Sequence, residues 1–122
     1  MDVLVLLQTS SILFGIGAAG GLVMAAVRFG GKRNPPAWLS MLHGFLAAAG
    51  LTLLAVTALF GPMSSWSMIA LVLLGIAAIG GVVLNLCYRT QQRLIPSWLV
   101  TMHALLAVTG LLFLFGAAFF QH

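Results

Sequence analysis

The sequence predicts an all-α integral membrane protein, a bundle of four transmembrane helices forming one domain over residues 1–122. Hydrophobic residues make up 62% of the chain and charged residues only 5%, which is too little polar surface for a soluble domain of this size. Each of four apolar runs has about 20 residues or more, enough to cross a bilayer as a helix. The runs cover residues 3–27, 37–60, 66–88 and 97–120.

The basic residues mark one side of the predicted bundle. All five fall in residues 28–35 and 89–95, whereas the only acidic residue, Asp2, stands near the N-terminus. The positive-inside rule therefore predicts that both basic loops are cytoplasmic and that both chain ends face out. The charge indicates topology and contact with the lipid bilayer, and it gives no reason to expect nucleic-acid binding. We expect a bacterial inner-membrane protein.

The second half of the chain repeats the first, with repeat 1 over residues 1–60 and repeat 2 over residues 61–122. Between positions 13 and 60, 19 of 48 residues are identical to the residue 60 positions later. A repeat of two helices preserves chain direction, so it predicts two tandem helical hairpins related by a pseudo-two-fold axis along the membrane normal. The matches among rarer residue types are Arg33/Arg93, Pro36/Pro96, Trp38/Trp98 and His43/His103.

One histidine lies at the same place in each of the second and fourth predicted helices. His43 and His103 are each about seven residues into the helix, so about 10 Å below its start. Both lie on the stripe of repeat-matched residues, at steps of three and four. If the stripes face the bundle axis, the two imidazoles face each other. An ionisable side chain at this depth is costly and marks a candidate functional site.

Several chemistries could explain the pair. Hydrogen bonding to a backbone carbonyl of a neighbouring helix is the simplest. Zinc needs three or four ligands and a proton relay usually uses carboxylates, and the sequence offers neither at this depth. Haem iron is held axially by residues such as histidine. His43 and His103 are therefore candidate metal ligands of one b-type haem. The terminal His122 is not expected to be a ligand, and we predict no catalytic residue.

Small and basic residues around the histidines extend the candidate site. Glycines would make room for a flat porphyrin, although close helix packing explains them equally well. Arginines in the basic loops could pair with haem propionates, and the tryptophans, at interface depth, could act as anchors. The predicted cofactor-binding residues are His43, His103, Gly20, Gly80, Gly50, Gly110, Arg33, Arg93, Trp38 and Trp98.

With a histidine pair on a four-helix bundle, the chain resembles compact b-type membrane cytochromes of the cytochrome b561 kind. The resemblance is one of architecture and carries no diagnostic motif. It implies bound haem b and electron transfer with a quinone or a partner subunit. Members generally hold two haems on four histidines, whereas this chain offers the single pair His43 and His103. One haem near the cytoplasmic side is therefore expected.

Two other classes of function remain as alternatives. The chain could be an accessory subunit of a larger membrane complex, or a homo-oligomer, with structural or pigment-binding histidines. It could also be a small transporter, like four-helix multidrug exporters, but it lacks a carboxylate within the predicted helices. No nucleophile–base pair or phosphate loop suggests a hydrolytic enzyme. The single cysteine, Cys87, is expected to be a buried thiol.

Overall fold

The computed structural model describes residues 2–120 and consists of four long helices. All four are long and apolar enough to cross a membrane, which confirms the predicted all-helical, four-span class, and the described residues form no strand. The third helix continues directly into a π-helical segment, Leu84–Arg89. The α-helices are α1 (Val3–Gly31), α2 (Ala37–Phe60), α3 (Ser65–Val83) and α4 (Ser97–Phe119).

The helices begin at recognisable capping residues. The side chain of Asp2 accepts a hydrogen bond from the backbone N–H of Leu4 at 2.9 Å, and Ser64 caps α3 in the same way. Pro36 and Pro96 stand in extended backbone directly before α2 and α4, because a proline ring fits the start of a helix but not its interior. α1 ends at Gly31, four residues beyond its predicted apolar run, so Arg28 is helical.

The packing order places alternate helices on the diagonals of the bundle. Each hairpin packs closely, α1 against α2 and α3 against α4. The hairpins then meet along α1 and α4, and more loosely along α2 and α3. The helices that carry the histidines, α2 and α4, therefore face each other across the bundle.

The hydrophobic core fills the half of the bundle away from the basic loops. Leu54 and Leu114 are fully buried there, packed with Phe14 and Leu74. Glycines let these helices approach, because a Cβ atom on Gly50 would lie 2.8 Å from the Phe14 ring and one on Gly110 would lie 2.9 Å from Leu74. Both contacts join residues that match in the repeat.

The two hairpins are hydrogen-bonded to each other at the end of the bundle that carries residues 28–35 and 89–95, which we call the basic end. The side chain of Asn34 donates to the carbonyl oxygen of Arg93 at 2.7 Å and accepts from the N–H of Ile95 at 3.0 Å. Nε of Arg28 donates to the carbonyl oxygen of Ile95 at 2.6 Å. These bonds hold the last turn of α1 and the loop before α2 against the loop before α4.

The π-helical segment is a feature that the sequence did not predict. The N–H of Thr90 bonds the carbonyl of Asn85 at 2.9 Å, and the N–H of Arg93 bonds that of Tyr88 at 2.8 Å, five residues back instead of four. The expectation of a buried Cys87 was wrong, since its side chain is exposed. It lies in this segment on the outer face of the bundle, where an apolar thiol needs no burial.

Candidate functional site

The structure brings the two predicted histidines together inside the bundle. The ring centroids of His43 and His103 lie 6.3 Å apart, with their planes at 73°. Both side chains are partly buried and come from the diagonal helices α2 and α4. The pair is therefore an interior feature that neither hairpin could form alone.

The ring of His43 is fixed by a backbone contact. Its Nδ1 lies 2.7 Å from the carbonyl oxygen of Gly17 on α1. A carbonyl only accepts, so Nδ1 carries the proton and Nε2 keeps a free lone pair. The same contact orients histidines that bind metals. It also satisfies the hydrogen-bonding capacity of Nδ1 without any ligand. That is the simplest of the roles considered from the sequence.

The ring of His103 lacks such a contact. Its Nδ1 is buried and has no hydrogen-bond partner within the described chain. A buried polar atom left without a partner costs about 1–3 kcal/mol. The residue that matches Gly17 in the second repeat is Ala77, whose backbone lies close enough to act on the His103 ring but does not meet hydrogen-bond geometry with Nδ1. The described residues thus leave one hydrogen-bonding nitrogen of the histidine pair, Nδ1 of His103, without a partner of good geometry.

Two repeat-matched glycines lie against the histidine rings. A Cβ atom on Gly21 would stand 3.1 Å from Cε1 of His43, and one on Gly81 would stand 3.2 Å from Cε1 of His103. Of the predicted glycines, Gly80 comes within 3.7 Å of His103 Nδ1 in the same way, whereas Gly20 faces Leu39. A side chain at position 21 or 81 would press on the imidazole beside it.

A cavity of about 710 Å³ adjoins both histidines. It extends from Phe14 and Leu74 at the edge of the core to Arg28 and Arg89 near the basic end, and residues of all four α-helices and the π-helical segment line it. Its volume falls within the range of about 300–1,000 Å³ usual for small-molecule sites. The lining is mainly apolar, and several of its residues are small, among them Gly17, Gly21, Ala47, Ala77, Gly81 and Ala107.

Two arginines line this cavity, and they are not the predicted pair. Arg28 and Arg89 are partly buried and contribute to the lining. Arg33 and Arg93 are exposed in the loops, and the guanidinium of Arg93 lies 5.0 Å from the centre of the Tyr88 ring. The sequence could have indicated Arg28, because it follows Gly21 by seven residues, about two helical turns, and so lies on the same face of α1 as that glycine.

The remaining predicted site residues lie elsewhere. Trp38 and Trp98 are 67% and 65% exposed on the outer surface, as expected of residues at a membrane interface. Gly50 and Gly110 are buried in the contacts between helices described above and are not among the cavity residues. His122 lies outside the described residues.

Two histidines alone do not complete a site for a bare metal ion. No group of three or more His, Cys, Asp or Glu side chains within residues 2–120 could hold an ion. Two imidazoles that bind one ion from opposite sides, with bonds of about 2 Å, have ring centres about 6 Å apart. The observed distance of 6.3 Å between the ring centroids and the adjoining cavity are compatible with a haem held between the two imidazoles.

No known protein family matches the chain, and comparison with curated proteins and with solved structures also gives no match. The class of protein is therefore described from its fold and its site alone. It is a four-helix bundle of membrane-spanning character with an interior histidine pair beside an apolar cavity.

Proposed function

We propose that the protein binds one haem b between His43 and His103 and serves in electron transfer. The observation that carries the proposal is the pair itself: two imidazoles from diagonal helices, 6.3 Å apart, beside a cavity of about 710 Å³. A bound haem supplies one-electron redox chemistry at its iron. The protein's own residues bind, orient and shield it.

Each residue at the site has a definite part in this proposal. His43 presents Nε2, because Nδ1 is held by the carbonyl of Gly17, and such a bond raises the basicity of the ligand. His103 supplies the opposite imidazole. Gly21 and Gly81 leave each ring in place without a clash. The apolar lining limits access of water, which is one of the factors that set a redox potential.

The same proposal includes the arrangement in the membrane. All five basic residues stand at one end of the bundle, which supports a cytoplasmic basic end with both chain ends outside. The repeat-matched contacts of Gly21 and Gly81, and of Gly50 and Gly110, support a pseudo-two-fold axis along the membrane normal. A single haem nearer one surface suits exchange with a quinone or partner subunit in a bacterial inner membrane.

The proposal is tested by absorption spectroscopy of the full chain. Protein expressed with ample haem should purify with a Soret band that sharpens and shifts on reduction by dithionite. The matched control is the double variant His43→Ala/His103→Ala, which should fold and remain colourless. A wild-type protein that stays colourless after addition of hemin overturns the proposal.

A second candidate function is that of an accessory membrane subunit. It is favoured by the bond from His43 to Gly17, which satisfies that side chain without any ligand. This alternative predicts that His43→Ala lowers stability and changes no spectrum. A transporter has less support, since the only acidic side chain is Asp2, outside the four helices.

A further inference from the structure

The π-helical segment changes the register between the two repeats. Residues 21–26 of α1 and residues 81–86 have the same alternation of exposed and partly buried positions, one by one. Beyond that point the pattern of residues 27–29 recurs at residues 88–90 instead of 87–89. The structural counterpart of Arg28 is therefore Arg89, although the gapless repeat pairs Arg28 with Tyr88.

The shift has a simple geometric cause. A π-helical turn bonds each N–H to the carbonyl five residues back and holds more residues than an α-helical turn. A residue after such a turn therefore reaches a given face of the helix about one position later in the sequence than it would in a continuous α-helix. Arg28 follows Gly21 by seven residues, which is about two α-helical turns. Arg89 follows Gly81 by eight, and one of its two turns is π-helical. Both arginines thus reach the same face as the glycine beside their histidine.

Each of the two arginines is held by a hydrogen bond from Nε, which leaves its other N–H donors unused by that bond. Nε of Arg28 bonds the carbonyl of Ile95 at 2.6 Å, and Nε of Arg89 bonds Oδ1 of Asn85 at 2.5 Å. A guanidinium has five N–H donors, so four remain on the two Nη atoms of each residue. The only acidic side chain, Asp2, is at the opposite end of α1, about 40 Å from Arg28 along the helix.

We propose that Arg28 and Arg89 are a matched pair that binds the two carboxylates of the ligand in the cavity. This inference rests on the proposed function, in which the carboxylates are the haem propionates. Charge-assisted hydrogen bonds from arginine to carboxylate are among the strongest that side chains make. The π-helical segment is then the device that brings the second arginine into register with the first.

The test compares hemin with its dimethyl ester, in which both carboxylates are blocked. Each is titrated into the full-length ligand-free protein in detergent, and the dissociation constant is taken from the Soret absorbance. Wild-type protein should bind hemin about tenfold or more tighter than the ester. Arg28→Gln and Arg89→Gln should each reduce the ratio of hemin affinity to ester affinity severalfold, because only hemin has free carboxylates. The exposed-residue controls, Arg33→Gln and Arg93→Gln, should keep the preference.

Two further variants test whether the charge at position 89 and its helical register matter, independently of any effect on folding. Arg89→Lys keeps the charge and should retain part of the preference even if Arg89→Gln folds poorly. The double variant Tyr88→Arg/Arg89→Tyr keeps composition and net charge but moves the cation off the cavity face, so it should lose the preference. If it keeps the wild-type preference, the register argument is wrong.

The outcomes distinguish this inference from the function on which it rests. If hemin and the ester bind equally well and both give a two-histidine spectrum, the arginine pair is refuted and haem binding stands. If the preference disappears in Arg33→Gln or Arg93→Gln and survives in Arg28→Gln and Arg89→Gln, the loop arginines hold the carboxylates instead. If neither compound binds, both proposals fail.

Discussion

His43 on α2 donates a hydrogen bond from Nδ1 to the carbonyl oxygen of Gly17 on α1, at 2.7 Å. The bond joins the two helices of the first hairpin beside the cavity. In the second hairpin the matching backbone group is that of Ala77, which approaches the His103 ring without meeting hydrogen-bond geometry with Nδ1. The two histidines match in sequence and in their distance from the helix start, yet only the His43 ring makes a hydrogen bond of good geometry to the backbone.

This difference predicts unequal effects on the stability of the ligand-free protein. His43→Ala removes a buried hydrogen bond between helices and should lower the free energy of unfolding by about 1 kcal/mol. His103→Ala removes a ring that lacks a bond of this geometry and should lower the free energy of unfolding by less. Thermal unfolding in detergent without haem measures both. Equal losses in the two variants would contradict the assignment.

The haem-loaded protein should respond to the same two substitutions in a similar way. Under the proposed function each removes one of the two histidines that would hold the haem, so each should convert a low-spin spectrum into a high-spin one. In His103→Gly, added imidazole should restore the low-spin spectrum, which no purely structural histidine would require. Ser40→Ala is the matched control, since Ser40 lines the cavity with an unpaired hydroxyl. Retention of the wild-type spectrum in either histidine variant would exclude it as a ligand.

Alanine at the glycines beside the histidines should weaken haem binding. A Cβ atom on Gly21 or Gly81 would stand 3.1 or 3.2 Å from an imidazole carbon, and overpacking of this kind costs about 1–3 kcal/mol. We expect dissociation constants for haem about 10- to 100-fold higher in Gly21→Ala and Gly81→Ala. Gly75→Ala is the control in α3, because a Cβ atom there meets nothing within 4 Å.

Alanine at the predicted cofactor glycines in α2 and α4 should instead affect folding. A Cβ atom on Gly50 would come within 2.8 Å of the Phe14 ring, so Gly50→Ala should destabilise the bundle by about 1–3 kcal/mol. Denaturation in detergent measures the loss, and Gly44→Ala is a control in open space on the same helix. A changed haem spectrum with unchanged stability would instead support the cofactor role predicted from the sequence.

The hydrogen bonds of Asn34 predict a further loss of stability. Asn34→Ala breaks both contacts to the loop before α4 and should lower the free energy of unfolding by about 1–2 kcal/mol. Hydrogen exchange of the Ile95 amide should become faster. Lys32→Ala, an exposed change in the same loop, should alter neither quantity. Unchanged exchange at Ile95 would show that the bridge contributes nothing in solution.

Some features could be predicted from the sequence because they depend on local composition or on the repeat. Hydropathy gave the four helices, since apolar runs of this length can satisfy their backbone in a membrane only as helices. The repeat gave the equal depth of His43 and His103, because it fixes the same number of residues before each of them. Of the four glycines that it indicated for the site, only Gly80 lies near a ring, that of His103.

Other features escaped because identity at a fixed spacing does not reveal contacts. Gly50 and Gly21 both match a glycine 60 residues later, but one packs against Phe14 and the other against His43. The loop arginines Arg33 and Arg93 match because the gapless alignment resumes after the π-helical segment. That segment absorbs one extra residue within the helix, so the alignment conceals the pairing of Arg28 with Arg89.

The residues that pack the bundle and those that line the cavity are largely separate sets, and this has a consequence for how the chain can vary. Leu54 and Leu114 are fully buried and do not line the cavity, whereas His43, Gly21 and Arg28 do. Substitutions at the cavity can therefore change what the site accepts while the packed half maintains the fold. The two halves of the bundle can in this way diverge independently.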